Sequence, residues 1–393
     1  MMNVLRKRLV LVMGMTMVFG TLCAQDLNLA KAFASAEKQT GVLLAEIKKD
    51  TSAQRKNEVS PRNVEHGKLT MVKSGDWTSG FFPAELWYFY EYSKNRKWLK
   101  LAQEYTEKVK KEQFNTGTHD LGFMIYCPFG NGYRLTGDTA YRKVIIQSAR
   151  SLSTRFNPVA GVIRSWDHHK AEWKYPVIID NMMNLELLFE ATKLSGDSSF
   201  YKIAVAHANT TLKNHFRADF SSFHVVDYDV VTGKVLARET AQGYSDSSSW
   251  ARGQAWALYG YTLCYRETKD PAYLAQAKGI ARYILTNPAI PEDGIPYWDY
   301  NDPGIPNVSR DASAAAITAS ALYELDRYAP EAGFKAAAGK ILTSLNKYYT
   351  NKPGENKGFI LAHSTGHRPA KSEIDVPINY ADYYYIEALL RSR

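Results

Sequence analysis

The segment VIIDNMMNLELLFEATKLSGD, residues 177–197, determines how the rest of the sequence is interpreted. Its apolar residues recur at helical rather than alternating spacing, which predicts a buried helix of about four turns. Asp180 stands at the head of this helix, and Ser195-Gly196-Asp197 ends it and begins the next one. The segment is therefore typical of a helical hairpin whose first helix starts at a carboxylate.

Hairpins of the same kind recur along the chain. The turn between the two helices follows the pattern Gly-Asp-x-x-Tyr, in which the Asp is expected to cap the second helix. The aromatic residue three positions later is expected to pack that helix against the first. The clear copies are residues 134–152, 193–212 and 266–285, and degenerate copies are residues 92–109 and 327–345.

The first helix of each pair is apolar nearly all round, as buried helices are, whereas its partner is amphipathic. Six such inner helices are predicted, at residues 80–92, 121–135, 181–194, 251–265, 312–325 and 380–390. Six inner and about six outer helices favour a closed ring, an (α/α)6 toroid, over an open solenoid. An open array would need polar capping repeats, and the last helix here is apolar.

We therefore expect residues 25–393 to form one all-α domain. The segments 218–242 and 288–307 are rich in Pro, Gly and Asp, which predicts loops or short strands on one rim of the ring.

The first 24 residues are typical of a signal peptide. Arg6, Lys7 and Arg8 precede an apolar run, and Ala24 is a plausible cleavage residue, so the mature chain would begin near Gln25. A lipoprotein signal ending at Cys23 is the alternative. Either interpretation predicts a periplasmic or secreted protein. No later segment is long and apolar enough to cross a bilayer.

Charge and cysteine content exclude several classes of protein. Without the signal peptide, 46 basic and 40 acidic residues remain, a net charge of +6 with no polybasic tract, so nucleic acid is not expected as a partner. A mild positive field suits an anionic substrate, or simply a soluble surface. Only Cys127 and Cys264 remain, too few for a disulfide framework or a cysteine metal site. We expect no metal and no cofactor, and nothing indicates an oligomeric state.

In a closed ring the starts of the inner helices meet at one mouth. The residues at these starts are carboxylates, aromatic residues and one arginine: Asp76, Trp77, His119, Asp120, Asp180, Trp250, Arg252, Trp256, Asp311 and Tyr380. Each aspartate taken singly could be only an N-cap. Taken together with the tryptophans and Arg252, they favour a sugar site, where hydroxyl and carboxylate groups accept charge-assisted hydrogen bonds.

Asp180 and Asp120 are the candidate catalytic pair. Glycoside chemistry needs one carboxyl group that holds a proton near neutral pH and a second that influences it. Apolar surroundings and a nearby ionised Asp120 would raise the pKa of Asp180, whereas a helix N-terminus would lower it. His224 is either a ligand on the rim or a structural histidine.

Four segments resemble the unsaturated glucuronyl hydrolases of glycoside hydrolase family 88. They are HDLGF (119–123), IIDNMMNLELL (178–188), SSWARGQAWALYG (248–260) and ADYYYIEAL (381–389). The resemblance implies an (α/α)6 barrel and a substrate with a 4,5-unsaturated uronic acid at its non-reducing end, as polysaccharide lyases leave on glycosaminoglycan fragments. It also implies hydration of the C4=C5 vinyl ether without a metal.

The resemblance assigns roles to residues of this chain. Asp180 would be the proton donor and then the base for water, and Asp120 would tune it and contact the sugar. The substrate-binding residues would be Trp77, His119, Asn157, Trp166, His224, Gln242, Arg252, Trp256 and Tyr383. Ser248 stands where the family usually has an aromatic residue, and the basic loop 361–374 would meet a sulfated second sugar.

Two other functions remain open from the sequence. One is an unsaturated rhamnogalacturonyl hydrolase that acts on pectin fragments through the same barrel. The other is a periplasmic glycan-binding protein without activity.

Overall fold

The computed structural model describes residues 27–49, 57–168 and 171–393. The predicted signal peptide, residues 1–24, lies outside them. In chain order the α-helices are α1 (Leu29–Lys49), α2 (Phe81–Ser93), α3 (Arg96–Val109), α4 (Asn131–Thr136), α5 (Thr139–Ser153), α6 (Asn181–Ser195), α7 (Ser198–Asn214), α8 (Ala251–Thr268), α9 (Pro271–Thr286), α10 (Ala312–Asp326), α11 (Phe334–Ser344) and α12 (Asn379–Arg391). A π-helix, Gly122–Gly130, runs directly into α4.

The even-numbered helices form the inner ring and the odd-numbered helices form the outer ring. Each inner helix packs against the next, and α12 packs against α2, so the ring closes. The inner helices are almost wholly buried: every residue of α8 from Ala251 to Cys264 is buried, and so is every residue of α10 from Ala312 to Leu325. The predicted (α/α)6 fold is confirmed.

The outer helices begin as the repeated turns predict. Asp138, Asp197 and Asp270 each accept a hydrogen bond from the backbone N–H two residues later, at the starts of α5, α7 and α9. The aromatic residue after the cap packs inward, as Tyr141 does, its ring centroid 5.2 Å from that of Phe129. The turn motif thus both starts the outer helix and attaches it to the inner ring.

The second inner helix differs from its prediction. The sequence predicts one helix over residues 121–135, whereas the structure has the π-helix Gly122–Gly130 followed by α4. Pro128 lies inside the π-helix. A proline has no N–H and its ring crowds the preceding turn, and the wider π turn relieves both effects.

Nine short strands lie near the starts of the inner helices and form antiparallel pairs. They are β1 (Glu58–Glu65), β2 (Lys68–Lys73), β3 (Phe156–Asn157), β4 (Val162–Ile163), β5 (Pro176–Ile178), β6 (Val225–Tyr228), β7 (Val235–Glu239), β8 (Ser364–His367) and β9 (Ser372–Val376) within the described chain. The three-stranded sheet has the order β5-β6-β7. Since β5 leads into α6 and β9 leads into α12, the strands build one rim of the ring.

None of the helices that the structure describes is long and apolar enough to span a bilayer.

Candidate active site

Asp180 lies between β5 and α6, where the chain passes from the rim into the inner ring. The N–H of Ile179 donates to the carbonyl of His224 across the β5–β6 pair, which fixes the direction in which Asp180 emerges. Only 7% of Asp180 is exposed. Arg252, whose charge acts on Asp180, lines a cavity of about 560 Å³ in the mouth of the ring.

The carboxylate of Asp180 does not cap its helix. The capping aspartates Asp138, Asp197 and Asp270 have extended backbones, whereas Asp180 has φ −55° and ψ −27° and accepts no cap hydrogen bond. Its Oδ2 is buried without a hydrogen-bond partner among the described residues. Asp311, by contrast, accepts hydrogen bonds from the N–H and hydroxyl of Ser313 and is a true cap. The sequence left open whether each aspartate is a helix cap or a functional group. The structure shows that Asp311 is a cap and that Asp180 is not.

Burial raises the pKa of Asp180 to about 7. The positive charge of Arg252 acts in the opposite direction, and the charge of Asp120 raises the pKa further. Desolvation dominates because a carboxylate loses most of its hydration in so enclosed a position. Asp180 therefore holds a proton at a pH where ordinary aspartates are ionised.

His224 faces Asp180, with its Nε2 3.7 Å from Oδ2. Its Nδ1 accepts hydrogen bonds from the backbone N–H groups of Ala241 and Gln242, so Nδ1 carries no hydrogen. The pKa of His224 lies well below its usual range, because of burial and the nearby charge of Arg252. The ring is therefore neutral with its hydrogen on Nε2, which makes it a donor aimed at the carboxyl group.

His119 and Asp120 form a second polar pair at the start of the π-helix. Nε2 of His119 lies 3.2 Å from Oδ1 of Asp120, and Oδ2 of Asp120 accepts from the hydroxyl of Thr118 at 2.7 Å. The hydroxyl of Ser165 lies 3.4 Å from Nδ1 of His119. Burial lowers the pKa of His119. The lowered pKa favours a neutral ring, whose Nε2 lies beside the Asp120 carboxylate.

Arg252 is buried and held by the β8–β9 hairpin. Its guanidinium donates to the carbonyls of Thr365 and Gly366 at 2.5 and 2.6 Å and faces Asp311 at 3.3 Å. The ring of Trp250 lies 4.4 Å from the guanidinium carbon. These contacts fix a positive charge in the cavity wall, where it suits a carboxylate ligand.

Several buried donors at the site have no protein partner. Among the described residues, Nε2 of His224, Nε of Arg252, Nε1 of Trp256 and the hydroxyl of Tyr380 all lack one. Buried polar groups in folded proteins are nearly always hydrogen-bonded. Such a concentration of unused donors beside Asp180 indicates a site built for a polar, oxygen-rich ligand.

Aromatic rings and ion-paired side chains form the cavity wall. Trp166 packs against Trp173 with centroids 5.5 Å apart, and Trp77 packs against Tyr380 at 5.0 Å. The lining includes Arg62, Trp77, Trp166, Gln242, Arg252, His367 and Glu373. Aromatic faces beside charged groups suit a sugar, whose C–H faces pack on rings while its hydroxyls form hydrogen bonds.

Most of the predicted site residues are brought together, and two are not. Asn157 is the last residue of β3, and its Oδ1 accepts from the N–H groups of Val159 and Ala160 in the turn that follows. Tyr383 lines a separate cavity at the opposite end of the ring, and its hydroxyl lies 2.9 Å from that of Tyr88. Asn157 stabilises its own turn. Tyr383 lies three residues after Tyr380 on α12, and therefore farther from the mouth of the ring.

The sequence interpretation placed Tyr380 at the mouth but gave it no role in the site, and it missed an ion pair. Tyr380 begins α12 at the mouth, and its place before the sixth inner helix was the available signal. Arg62 donates to both carboxylate oxygens of Glu373 at 2.6 and 2.7 Å in the cavity wall. These two residues lie 311 positions apart, and no local pattern connects them.

Most of the basic residues in the loop 361–374, and Ser248, do not line the cavity. Of the four basic residues that made the loop 361–374 a candidate, His363, His367, Arg368 and Lys371, only His367 lines the cavity. His363 lies 2.6 Å from Asp375, and the guanidinium of Arg368 lies 5.5 Å from the ring of Trp298. Ser248 donates to Asp299 and is buried, so it serves the loop rather than the cavity.

No group of three or more His, Cys, Asp or Glu side chains within residues 27–49, 57–168 and 171–393 is arranged to hold a metal ion.

Comparison with known proteins gives consistent matches. Residues 48–389 match Glycosyl Hydrolase Family 88. The chain is 47% identical to an unsaturated glucuronyl hydrolase of Formosa agariphila, over 94% of this chain and 92% of that protein. It is 35% identical to an unsaturated chondroitin disaccharide hydrolase of Streptococcus pneumoniae, over 82% of this chain and 83% of that protein.

A solved structure agrees with these relatives. The crystal structure of an unsaturated glucuronyl hydrolase specific for heparin matches with a TM-score of 0.88 and 46% identity, covering 93% of this chain and 96% of that chain. The resemblance inferred from four short segments is thus confirmed over nearly the whole sequence. The chain belongs to Glycosyl Hydrolase Family 88.

Proposed function

We propose that this enzyme releases a 4,5-unsaturated uronic acid from the non-reducing end of the oligosaccharides that lyases leave from glycosaminoglycans. The observation that carries the proposal is a buried, uncapped Asp180 with a pKa of about 7, beside a cavity with aromatic walls and a fixed arginine. The relatives named as glucuronyl and chondroitin disaccharide hydrolases support the same substrate class.

The reaction begins with a proton transfer. The carboxyl group of Asp180 gives its proton to C4 of the vinyl ether, and positive charge develops at C5 and the ring oxygen. Water then adds at C5 and loses its proton to the Asp180 carboxylate, which restores the acid. One side chain thus serves as acid and then as base, and a pKa near 7 suits both roles.

Bond cleavage follows without further help from the protein. The product of hydration is a hemiketal at C5, and its opening breaks the bond between C5 and the ring oxygen. That oxygen remains on C1 as a hemiacetal, which collapses to an aldehyde and releases the second sugar as an alcohol. One water is consumed, and no nucleophile attacks the anomeric carbon.

The surrounding groups bind and orient the substrate. Arg252 supplies a fixed positive charge for the uronic carboxylate, and Trp77 and Trp166 supply faces for the sugar ring. Nε2–H of His224 and Oδ1 of Asp120 are placed to bond ligand oxygens near the reacting carbon. A binding protein without activity has no use for an acid whose pKa is tuned to neutral pH, which disfavours that alternative.

A substrate panel tests the proposal. Unsaturated disaccharides from chondroitin, hyaluronan and heparin, with different sulfate positions, would be compared with unsaturated pectic disaccharides. Loss of the ultraviolet absorbance of the C4=C5 bond measures turnover. We expect turnover of at least one glycosaminoglycan disaccharide. Turnover of the pectic substrates alone would establish a rhamnogalacturonyl hydrolase instead, and tight binding without turnover would establish a binding protein.

We propose in addition that the enzyme acts in the periplasm or outside the cell. The N-terminal segment, with three basic residues before an apolar run, supports export. Fractionation of cells that express the full chain, with N-terminal sequencing of the mature protein, tests this. A cytoplasmic protein that retains residues 1–24 would contradict it.

A further inference from the structure

The two carboxylates of the site stand on different elements. Asp120 lies two residues before the π-helix Gly122–Gly130, and Asp180 lies directly before α6. The backbones of these two helices come very close near their starts. A Cβ atom at Gly122 would lie 2.6 Å from Oδ1 and 2.7 Å from Cα of Asn184. No side chain fits there, so the approach depends on glycine at this position.

A single buried amide joins the two helices at this point. Asn184 is fully buried, and its Oδ1 accepts a hydrogen bond from the backbone N–H of Phe123 at 3.2 Å. The first N–H groups of a helix have no partner within the helix, and that of Phe123 is one of them. Asn184 satisfies this donor from a neighbouring helix.

The position of this hydrogen bond relates directly to the carboxylates. Asn184 is four residues after Asp180, one turn along the same face of α6. Phe123 is three residues after Asp120. The bond therefore connects the turns that immediately follow the two acids.

We propose that Asn184 is a positioning residue that sets the distance between Asp120 and Asp180 by holding the start of the π-helix against α6. This role rests on the function proposed above, in which the two carboxylates act as a pair. Asn184 acts through the backbone of Phe123 and does not itself need to touch the substrate.

Loss of the contact has a predictable electrostatic consequence. The charged or titratable groups that face Asp180 are Asp120 from the loop before the π-helix, His224 from the strand side and Arg252 from α8. Asp120 raises the pKa of Asp180 and Arg252 lowers it. If the π-helix moves away, the effect of Asp120 weakens while that of Arg252 remains, so the pKa of Asp180 falls.

Two substitutions act on the contact from opposite sides. Asn184→Ala removes the acceptor, and Gly122→Ala forces the backbones apart. For both we expect kcat to fall about 10- to 100-fold, as for small displacements of reacting groups. We expect KM to change little, and the alkaline limb of the pH–kcat profile to move to lower pH.

Thr106→Val is the matched control. The hydroxyl of Thr106 accepts a buried hydrogen bond from the indole of Trp87 at 2.9 Å, between α2 and α3 and away from the site. This variant should lose stability without any shift of the alkaline limb. A merely structural role for Asn184 would give the same result as this control, and that result would overturn the proposal.

A second measurement does not need turnover. Carbon NMR titration of the Asp180 carboxyl group should give a lower pKa in both Asn184→Ala and Gly122→Ala than in the wild type. An unchanged or higher pKa in folded variants contradicts the positioning role even if no substrate has been found. Failure of the wild type on every unsaturated disaccharide, by contrast, overturns only the proposed function.

Discussion

At the scale of single residues, two aspartates that each precede a helix have pKa values shifted in opposite directions. Asp197 precedes α7 and accepts a hydrogen bond from the N–H of Ser199, and hydrogen bonds from the side chain and the backbone of Ser199 lower its pKa. Asp180 precedes α6, accepts no such bond, and burial raises its pKa to about 7. The difference arises from the backbone angle and from burial, since the side chains are identical.

The pKa of Asp180 predicts the pH dependence of the reaction. The proton donor must be protonated before the substrate reacts, so kcat should fall as the pH rises through about 7. Burial of His224 and His119 keeps both rings neutral across this range, so neither adds an alkaline limb. Steady-state kinetics between mildly acidic and mildly alkaline pH check this. A rate that keeps rising well above pH 7 contradicts a protonated Asp180.

The same raised pKa predicts a cost in stability. A carboxyl group whose folded pKa exceeds its unfolded value stabilises the fold fully below the unfolded pKa, near 4, and loses that contribution as the pH rises toward the folded value, near 7. Asp180→Asn removes this loss. We expect the variant to be more stable than the wild type at pH 8, by on the order of 4 kcal/mol at most.

Denaturant unfolding at two pH values measures this gain. At pH 4 the two proteins should be nearly equal in stability, and the difference should appear as the pH rises. Equal stability at pH 8 would mean that Asp180 is not held in a desolvated environment.

At the scale of elements, the local rules determine the helices. The helical period, the Gly-Asp turns and the aromatic residue after each cap depend only on neighbours within about one turn. The sequence therefore predicted the hairpins and the caps at Asp138, Asp197 and Asp270 correctly. Because the inner helix starts meet in a ring, it also predicted that Asp180, Asp120 and Arg252 lie near one another.

Other elements depend on contacts between distant residues. The π-helix arises from Pro128 and from the close approach of Gly122 to Asn184, which no helical period reveals. The Arg62–Glu373 pair joins two strands from opposite ends of the chain. Asn157 and Tyr383 were misplaced because a resemblance aligns positions but does not give the direction of a side chain.

A cap substitution tests the contrast between the two aspartates. Asp197→Ala removes the acceptor of the hydrogen bond from the N–H of Ser199, and we expect a small decrease in the melting temperature. We expect kcat and KM to stay at wild-type values, because α7 belongs to the outer ring. Thermal unfolding and a kinetic assay of the same preparation check both. A large loss of activity without a loss of stability would contradict the structural role.

At the scale of the whole molecule, the ring closes where α1, α2 and α12 meet. Glu85 of α2 accepts from the hydroxyl of Thr40 at 2.8 Å, and Asp382 of α12 accepts from the N–H groups of Ile360 and Leu361. Burial raises the pKa of Asp382 to about 8. Burial and the charge of Asp382 raise the pKa of Glu85. Asp382 therefore holds a proton at neutral pH.

The buried carboxyl groups of Glu85 and Asp382 predict a loss of protein stability at alkaline pH. Both folded pKa values lie above the unfolded values, so the stabilisation is full near pH 4 and is lost as the pH rises toward about 8. Glu85→Gln replaces one titrating group by an amide that carries no charge and takes up no proton. We expect the melting temperature of the variant to fall less between pH 5 and pH 8 than that of the wild type.

Calorimetry of both proteins at pH 5 and pH 8 measures the difference. Identical slopes of melting temperature against pH would show that the pair does not titrate with unfolding. Lys108, exposed on an outer helix, offers a control site: Lys108→Gln should leave the slope unchanged.

The proposed reaction requires Asp180 to be the proton donor, and the activity of Asp180→Asn is the decisive test of that role. The variant keeps the shape of the side chain and the cavity but has no proton to transfer. Turnover of an unsaturated glycosaminoglycan disaccharide should fall by about a thousand-fold or more, within the range for loss of an acid–base group, while calorimetry still detects binding of that disaccharide. A variant that turns the substrate over at the wild-type rate would contradict the mechanism.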